Sequence, residues 1–299
     1  MGGTLLIGAD GQLGSELAVL LAGPDLHAVT HADLEITDTA AVDACLGRLA
    51  PDVVVNTAAF HAVDRCEDEP GTAFAVNALA VRHLARRARD RGHLLVHFST
   101  DYVFDGRAAR PYREDDVPVP LSAYATSKLA GECFVRALAP RHLVVRSAGL
   151  FGGAGSRGKG GNFVESILRR ARAGEPLRVV ADQVTAPTYT RDLAATVAAL
   201  IERARVDASV DGLVHATADG SCSWHAFACA ILEEAGVAAP VAAISTRELA
   251  APAARPPYSV LANARLAALA VPRPRPWRDG LRAYLAARHG IGRAPAPRA

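Results

Sequence analysis

Tyr124 and Lys128 stand four residues apart in Tyr124-Ala125-Thr126-Ser127-Lys128, a spacing that sets both side chains on one face of a helix. Free tyrosine has a pKa of about 10 and exchanges protons poorly near neutrality. An ammonium beside it stabilises the phenolate and lowers that value, so such a pair can pass a proton to or from a substrate oxygen. The bland reading of the same spacing is a pair on a solvated helix surface. Thr100, in Ser99-Thr100-Asp101-Tyr102, favours the chemical one. It closes an apolar run, and its hydroxyl can give a second hydrogen bond to an oxygen that gains charge.

A helix carrying Tyr124 and a strand ending at Thr100 must be brought together by the rest of the chain. The first half alternates short apolar runs with amphipathic stretches: strands are predicted over 4–7, 26–29, 52–56, 93–99 and 142–146, and helices over 12–21, 39–49, 74–89 and 124–139. That alternation predicts parallel strands joined by right-handed crossovers. Near-continuous apolar strands fit a sheet covered on both faces. The expectation is an α/β fold with a doubly wound parallel sheet, which collects its ligands at the carboxyl ends of the strands.

Gly8-Ala9-Asp10-Gly11-Gln12-Leu13-Gly14 follows the first strand and opens the first helix. Glycines there allow a tight turn and close approach of backbone N–H groups to a pyrophosphate. The spacing is G-x-x-G-x-x-G, and a purely structural turn is the alternative. The second strand ends in Val29-Thr30-His31, with no acid to read a ribose hydroxyl. Thr30 leaves space there, and His31 is either a partner for a 2′-phosphate or a solvated histidine. NADPH is the expected cofactor, with NADH possible.

After Leu150 the character changes. Helices are predicted over 163–173, 191–204 and 224–235 and strands over 177–180, 212–216 and 241–244. The expected organisation is a dinucleotide-binding domain over 1–150 and a smaller substrate lobe over 151–289, with some segments returning to the sheet. The tail over 290–299, rich in Ala, Pro and Arg, is expected to be disordered. Arg157 and Lys159 lie among glycines in a stretch that either closes over a diphosphate or is a solvated loop.

Composition narrows the class. The 33 basic and 31 acidic residues nearly cancel, without a dense basic block, which argues against nucleic acid as partner. Five cysteines without CxxC spacing fit a reducing compartment better than a disulfide framework. No apolar run approaches about 18 residues, and no leader pattern opens the chain, so the expectation is a cytoplasmic protein without a membrane partner. It is a monomer or homodimer on this reading.

Gly8 to Gly14, Thr100, Tyr124 and Lys128 together resemble the extended short-chain dehydrogenase/reductases. More closely, the ordered blocks Pro51 to Ala59, Ala62-Val63-Asp64, Glu67 to Pro70, Ser99 to Gly106, Tyr124 to Glu132, Asn162-Phe163, Asp182-Gln183, Ala186-Pro187-Thr188 and Arg255-Pro256 resemble the dTDP-4-dehydrorhamnose reductase family across almost the whole chain. The resemblance implies hydride delivery to the C4 ketone of a nucleotide-linked 6-deoxyhexose, with Tyr124 as proton donor. It implies that Lys128 tunes Tyr124 and holds the nicotinamide ribose, and that Thr100 polarises the ketone. Gly8, Gly11, Gln12, Leu13 and Gly14 would meet the pyrophosphate, Glu35 and Ile36 the adenine, and Ala58, Ala59, Phe60 and His61 the rest of the cofactor. Val63, Thr100 and Asp101 would face the sugar, and Arg255 the diphosphate.

Two positions depart from the family pattern. Where the family reads Arg-Thr-Ser-Trp-Val-Tyr, this chain reads Arg146-Ser147-Ala148-Gly149-Leu150-Phe151, so Gly149 offers space in place of a flat surface against the sugar. Other nucleotide-linked ketosugars therefore stay open. Glu16 matches one acidic position of a metal bridge found in some members, but Arg191 replaces another, and no metal is expected. Epimerases and 4,6-dehydratases of the same fold are the nearest rivals. The dehydratases carry Thr-Asp-Glu, whereas this chain has Thr100-Asp101-Tyr102. A dinucleotide-binding regulatory subunit is a further alternative, disfavoured by the intact Thr100, Tyr124 and Lys128.

Overall fold

Runs such as Leu5-Leu6-Ile7 and Val53-Val54-Val55 leave no polar side chain for water on either face, and both lie fully inside the protein. In the computed structural model, which describes residues 2–153 and 161–291, they belong to β1 (Thr4–Ile7) and β3 (Val53–Asn56). Between them come α1 (Gln12–Leu20), β2 (Leu26–Val29) and α2 (Thr39–Leu49). Two short helices, α3 (Arg65–Asp68) and α4 (Pro70–Phe74), lead through a π turn at Ala75–Leu79 into α5 (Ala80–Arg91). Then follow β4 (Leu94–Thr100), a 3-10 turn at Asp101–Val103, α6 (Ala123–Leu138) and β5 (His142–Ser147).

The remainder comprises β6 (Leu150–Phe151), α7 (Phe163–Arg172), β7 (Leu177–Val180), β8 (Val184–Thr185), β9 (Thr188–Tyr189), α8 (Thr190–Val206), β10 (Gly212–His215), β11 (Cys222–Ser223), α9 (Trp224–Ala235), β12 (Val241–Ile244), α10 (Thr246–Leu249), α11 (Ala264–Ala268) and α12 (Trp277–His289).

The main sheet has the order β10-β5-β4-β3-β1-β2, parallel throughout. Alternate side chains of each strand enter opposite layers. Leu6, Val55, Val96, Val145 and Val214 pack with Leu13 and Leu17 of α1 and with Leu193, Val197, Leu200 and Ile201 of α8. Leu5, Ile7, Val54, Leu95 and Val144 pack with Val42 and Leu46 of α2, Val81 and Leu84 of α5 and Val135 of α6. Each such Leu or Val contributes about 1.5–3 kcal/mol on burial. The doubly wound parallel sheet expected from the sequence is thus the observed fold, and its strand order reverses between β1 and β3.

Two details sharpen the sequence expectation. The stretch 74–89 is helical throughout but not α-helical throughout: α4 passes through the π turn before α5 begins, and Asn77 within that turn points inward to bond a loop. The segment at 212–216 is among those that return to the sheet: β10 pairs with β5, and α8 lies against α1, so both extend the first sheet and its cover. The second lobe keeps its own core of Phe151, Ile167, Tyr189, Phe227, Tyr284 and Leu285, among others. Residues 154–160 and 292–299, where the Arg157–Lys159 loop and most of the tail fall, lie outside the described residues.

Candidate active site

Parallel strands end together, so Ile7, Asn56, Thr100 and Ser147 reach one edge of the sheet. At the β1 end the chain turns at Gly8, whose φ of +82° favours glycine. A Cβ on Gly8 would lie 2.7 Å from Oγ1 of Thr57, and one on Gly14 would lie 2.1 Å from the Gly8 carbonyl oxygen. The turn and the helix behind it therefore touch backbone to backbone. Gly11 caps α1 without a side chain, and the first turn of the helix holds no acid. Its N–H groups thus present a positive end to an incoming anion. Oε1 of Gln12 is buried with no hydrogen-bond partner among the described residues, while Leu13 faces the core. A small-residue cradle with free backbone N–H donors at a helix N-terminus fits the pyrophosphate of a dinucleotide.

Along the neighbouring loops, Oε1 of Glu35 accepts from the backbone N and Oγ1 of Thr37, both at 2.9 Å, and Ile36 is buried. Nδ1 of His31 sits 3.4 Å from Oε2 of Glu35 on the exposed side. After β3, Ala58 N donates to Oδ1 of Asn56 at 3.1 Å, and Phe60 N donates to Oδ1 of Asn77 at 2.9 Å. Nδ2 of Asn77 returns the bond to the Phe60 carbonyl at 2.9 Å and also donates to Oγ of Ser127 at 3.0 Å. Ser127 Oγ in turn donates to the Tyr124 carbonyl at 2.8 Å. Asn77 thereby ties the segment Ala58 to His61 to the helix of Tyr124 and Lys128. Sequence reading missed it. The available signal was a lone asparagine on the apolar face of a predicted helix, and the π turn there is of the kind found at functional sites.

Ser122 caps α6 by accepting from Ala125 N at 3.2 Å, which places Tyr124 in the first turn and Lys128 one turn deeper. Thr100 and Tyr124 face one another across the edge, and the Tyr102 ring stands edge-on to Tyr124 with centroids 6.3 Å apart. The sequence expectation of a lowered Tyr124 pKa is corrected here. Burial, with Asp101 and Tyr102 acting in the same direction, holds the Tyr124 phenol above the usual tyrosine range. Lys128 is buried, and Glu132, one turn along the same helix, is the opposite charge that acts on it. Burial brings its ammonium down to about 8, with Glu132 opposing. Glu132 itself is held by Arg146 at 2.9 and 2.7 Å.

The expected sugar-side residues are more varied. Val63 is half-buried in the stretch before α3. Asp101 is buried, and its carboxylate accepts hydroxyl donors from Thr100, Thr185 and Ser259. Arg255, expected at a diphosphate, has Nη2 at 2.9 Å from Oδ2 of Asp64 and Nη1 donating to Ala253 O at 3.1 Å, and it lies beside Tyr102. Gly149 has a φ of +54°, and a Cβ there would lie 3.0 Å from Cα of Pro187. Backbone conformation as well as space therefore favours glycine at this position. Glu16 lies beside Arg191 and the Gly153 backbone. A cavity of about 600 Å³ is at the opposite edge of the sheet, lined by Asp52, Arg91, His93, Arg141 and Arg205 among others. It is far from Thr100, Tyr124 and Lys128, and three arginines stand against one aspartate in its lining.

A parallel sheet with a glycine cradle at the strand-order reversal, and Thr, Tyr and Lys at the same edge, defines an extended short-chain dehydrogenase/reductase. Residues 2–289 match the family model described as RmlD substrate binding domain, and the chain belongs to that family. It is 40% identical over 283 residues to the spore coat polysaccharide biosynthesis protein SpsK of Bacillus subtilis, covering 94% of this chain and 96% of that protein. It is also 40% identical over 297 residues to a dTDP-4-dehydrorhamnose reductase of Streptomyces griseus, covering 98% and 96%. A crystal structure of dTDP-4-dehydrorhamnose reductase from Bacillus anthracis in complex with NADP superposes with a TM-score of 0.89 at 34% identity, covering 96% of this chain and 100% of that one. No helix among the described residues is long and apolar enough to cross a membrane.

Proposed function

We propose that the protein is an NADPH-dependent reductase of the C4 ketone of a nucleotide-linked 6-deoxyhexose, with dTDP-4-dehydrorhamnose as the favoured substrate and dTDP-L-rhamnose as product. The observation that carries this reading is the meeting of Thr100 and Tyr124 at the sheet edge, one helical turn from the buried Lys128. The Gly8 to Gly14 cradle, Glu35-Ile36 and the loop Ala58 to His61 hold the dinucleotide, which supplies the hydride when bound. Tyr124 keeps its proton at neutral pH because burial disfavours the phenolate. It gives that proton to the ketone oxygen as the oxygen gains charge. Thr100 fixes the phenol in place, and Lys128 contributes positive charge beneath the site and donors for ribose hydroxyls. Residues 1–150, with β10 and α8, form the cofactor half, and the second lobe holds the nucleotide sugar over Val63 and Gly149.

The direct test is oxidation of NADPH by the purified protein with dTDP-4-dehydrorhamnose, followed at 340 nm, with the configuration at C4 read by NMR. Interconversion of sugars without NADPH consumption would replace the reductase reading with an epimerase. Gly149 supports a second reading at the level of the sugar only, since a site without a flat surface there suits other nucleotide-linked 4-ketosugars. Turnover higher with such a sugar than with the rhamnose precursor would select it.

The cradle makes its own prediction. In Gly14→Ala the added methyl collides with the Gly8 carbonyl, forcing turn and helix apart where they should meet the pyrophosphate. NADPH affinity, followed by nucleotide fluorescence, is expected to fall at least tenfold, about 1.4 kcal/mol. A Kd within about twofold of the parent, with the fold intact by circular dichroism, would exclude this turn as the cofactor's anchor.

A further inference from the structure

Thr100 has one hydroxyl proton, and its destination is visible. Oγ1 of Thr100 donates to Oδ1 of Asp101 at 3.1 Å, while Tyr102 N donates to the same threonine oxygen at 3.2 Å. The other carboxylate oxygen of Asp101 accepts from Oγ of Ser259 at 2.5 Å and from Oγ1 of Thr185 at 3.2 Å. All four side chains are at least nine-tenths buried. Thr100 and Asp101 close β4 of the main sheet, whereas Thr185 ends β8, and Ser259 lies alongside it with its N–H on the Val184 carbonyl at 2.9 Å. One carboxyl group thus joins the cofactor half to the second lobe.

The chemistry of this junction is directional. An ionised carboxylate only accepts, so a charged Asp101 holds the Thr100 proton and leaves Thr100 only lone pairs to offer Tyr124 or a ketone. A neutral donor at position 101 would bond the threonine oxygen instead and free its proton for the reacting oxygen. We propose that Asp101 is a positioning residue that sets the direction of the Thr100 hydroxyl, and that Ser259 and Thr185 of the second lobe control it through their grip on its carboxyl group. This rests on the reductase reading of the same site.

Burial pushes the Asp101 carboxyl up to about 6, against the three hydroxyl donors that lower it. The titratable groups that face it are Tyr102, next in the chain, and Tyr124 from α6; beyond Tyr102 stand Arg255 and its partner Asp64. The carboxyl therefore changes state inside the working pH range. Removing one hydroxyl donor weakens the charged form and moves that change upward.

Two measurements test this. In the ¹³C carboxyl spectrum of the free protein, one signal titrating near pH 6 is expected, absent from Asp101→Asn. It should move up by roughly half a pH unit in Ser259→Ala and in Thr185→Val. In steady-state reduction between pH 5.5 and 8, kcat of the parent is expected to rise as pH falls through about 6. In Asp101→Asn that limb should vanish, and in the two hydroxyl variants its midpoint should follow the spectroscopic one. NADPH affinity should stay put in all three. A limb with one midpoint in every variant, or a loss of rate in Asp101→Asn in proportion to lost NADPH binding, would overturn the proposal. If the parent protein oxidises no NADPH with any 4-ketosugar, the reductase reading itself falls, and the carboxyl titration still decides whether the two lobe hydroxyls control Asp101.

Discussion

Tyr124→Phe is expected to lower kcat by about 10²–10⁴-fold, the usual worth of a positioned general acid, while NADPH binds as before. The Tyr124 side chain is buried and its ring packs edge-on against Tyr102. Phenylalanine keeps that packing and removes only the hydroxyl that faces Thr100. The cradle around Gly8 and the loop pinned by Asn77 lie on other elements and are untouched. The loss should therefore appear in kcat, because the proton is needed only once charge develops on the ketone oxygen. Stopped-flow mixing of enzyme, NADPH and ketosugar would separate the steps, with unchanged nucleotide binding followed by slowed hydride transfer. Turnover within about threefold of the parent would falsify the assignment of Tyr124 as proton donor.

How much of this could be read from the chain depends on the range of the interaction. Near-continuous apolar runs and the turn Gly8 to Gly14 are local signals, and they announced the parallel sheet and the tight glycine turn that follows its first strand. The four-residue interval from Tyr124 to Lys128 is also local, and α6 realises it. What escaped was long-range pairing of polar groups. Asp101 meets Ser259 across 158 residues and Arg255 meets Asp64 across 191. No periodicity reports such partners, so a residue type suited to a sugar or a diphosphate was all that sequence could offer. Asn77 was hidden for a related reason. Its side chain reaches the Phe60 backbone 17 residues back, from within the π turn that interrupts the α-helical hydrogen bonding. The upward displacement of Tyr124 likewise depends on burial, which a helical spacing does not encode.

The largest expected change in stability comes from Arg146, behind the site. Its guanidinium grips both carboxylate oxygens of Glu132, with both side chains essentially inaccessible to water. It also lies over the Phe104 ring, 5.1 Å from the centroid, and Nη1 stands 3.3 Å from Nε2 of His215. Because arginine only donates, that imidazole nitrogen is the acceptor and the His215 proton sits on Nδ1, facing the Tyr112 carbonyl at 3.1 Å. Burial, reinforced by Arg146, holds His215 neutral, with its pKa down to about 3. Arg146→Met is expected to cost about 3–5 kcal/mol, since it strands a buried carboxylate, and Arg146→Met with Glu132→Leu should recover much of it. Urea unfolding of the two variants measures the difference. A functional sign accompanies it. In the parent the Lys128 ammonium is lost as pH rises through about 8, so activity should fall on that alkaline limb. Without Arg146 the Glu132 charge acts on Lys128 alone and moves the limb upward, whereas Glu132→Gln removes the charge that raises Lys128 and moves it downward. Opposite displacements identify Glu132 as the group through which Arg146 tunes Lys128; displacements of the same sign would leave Arg146 and Glu132 as a structural pair alone.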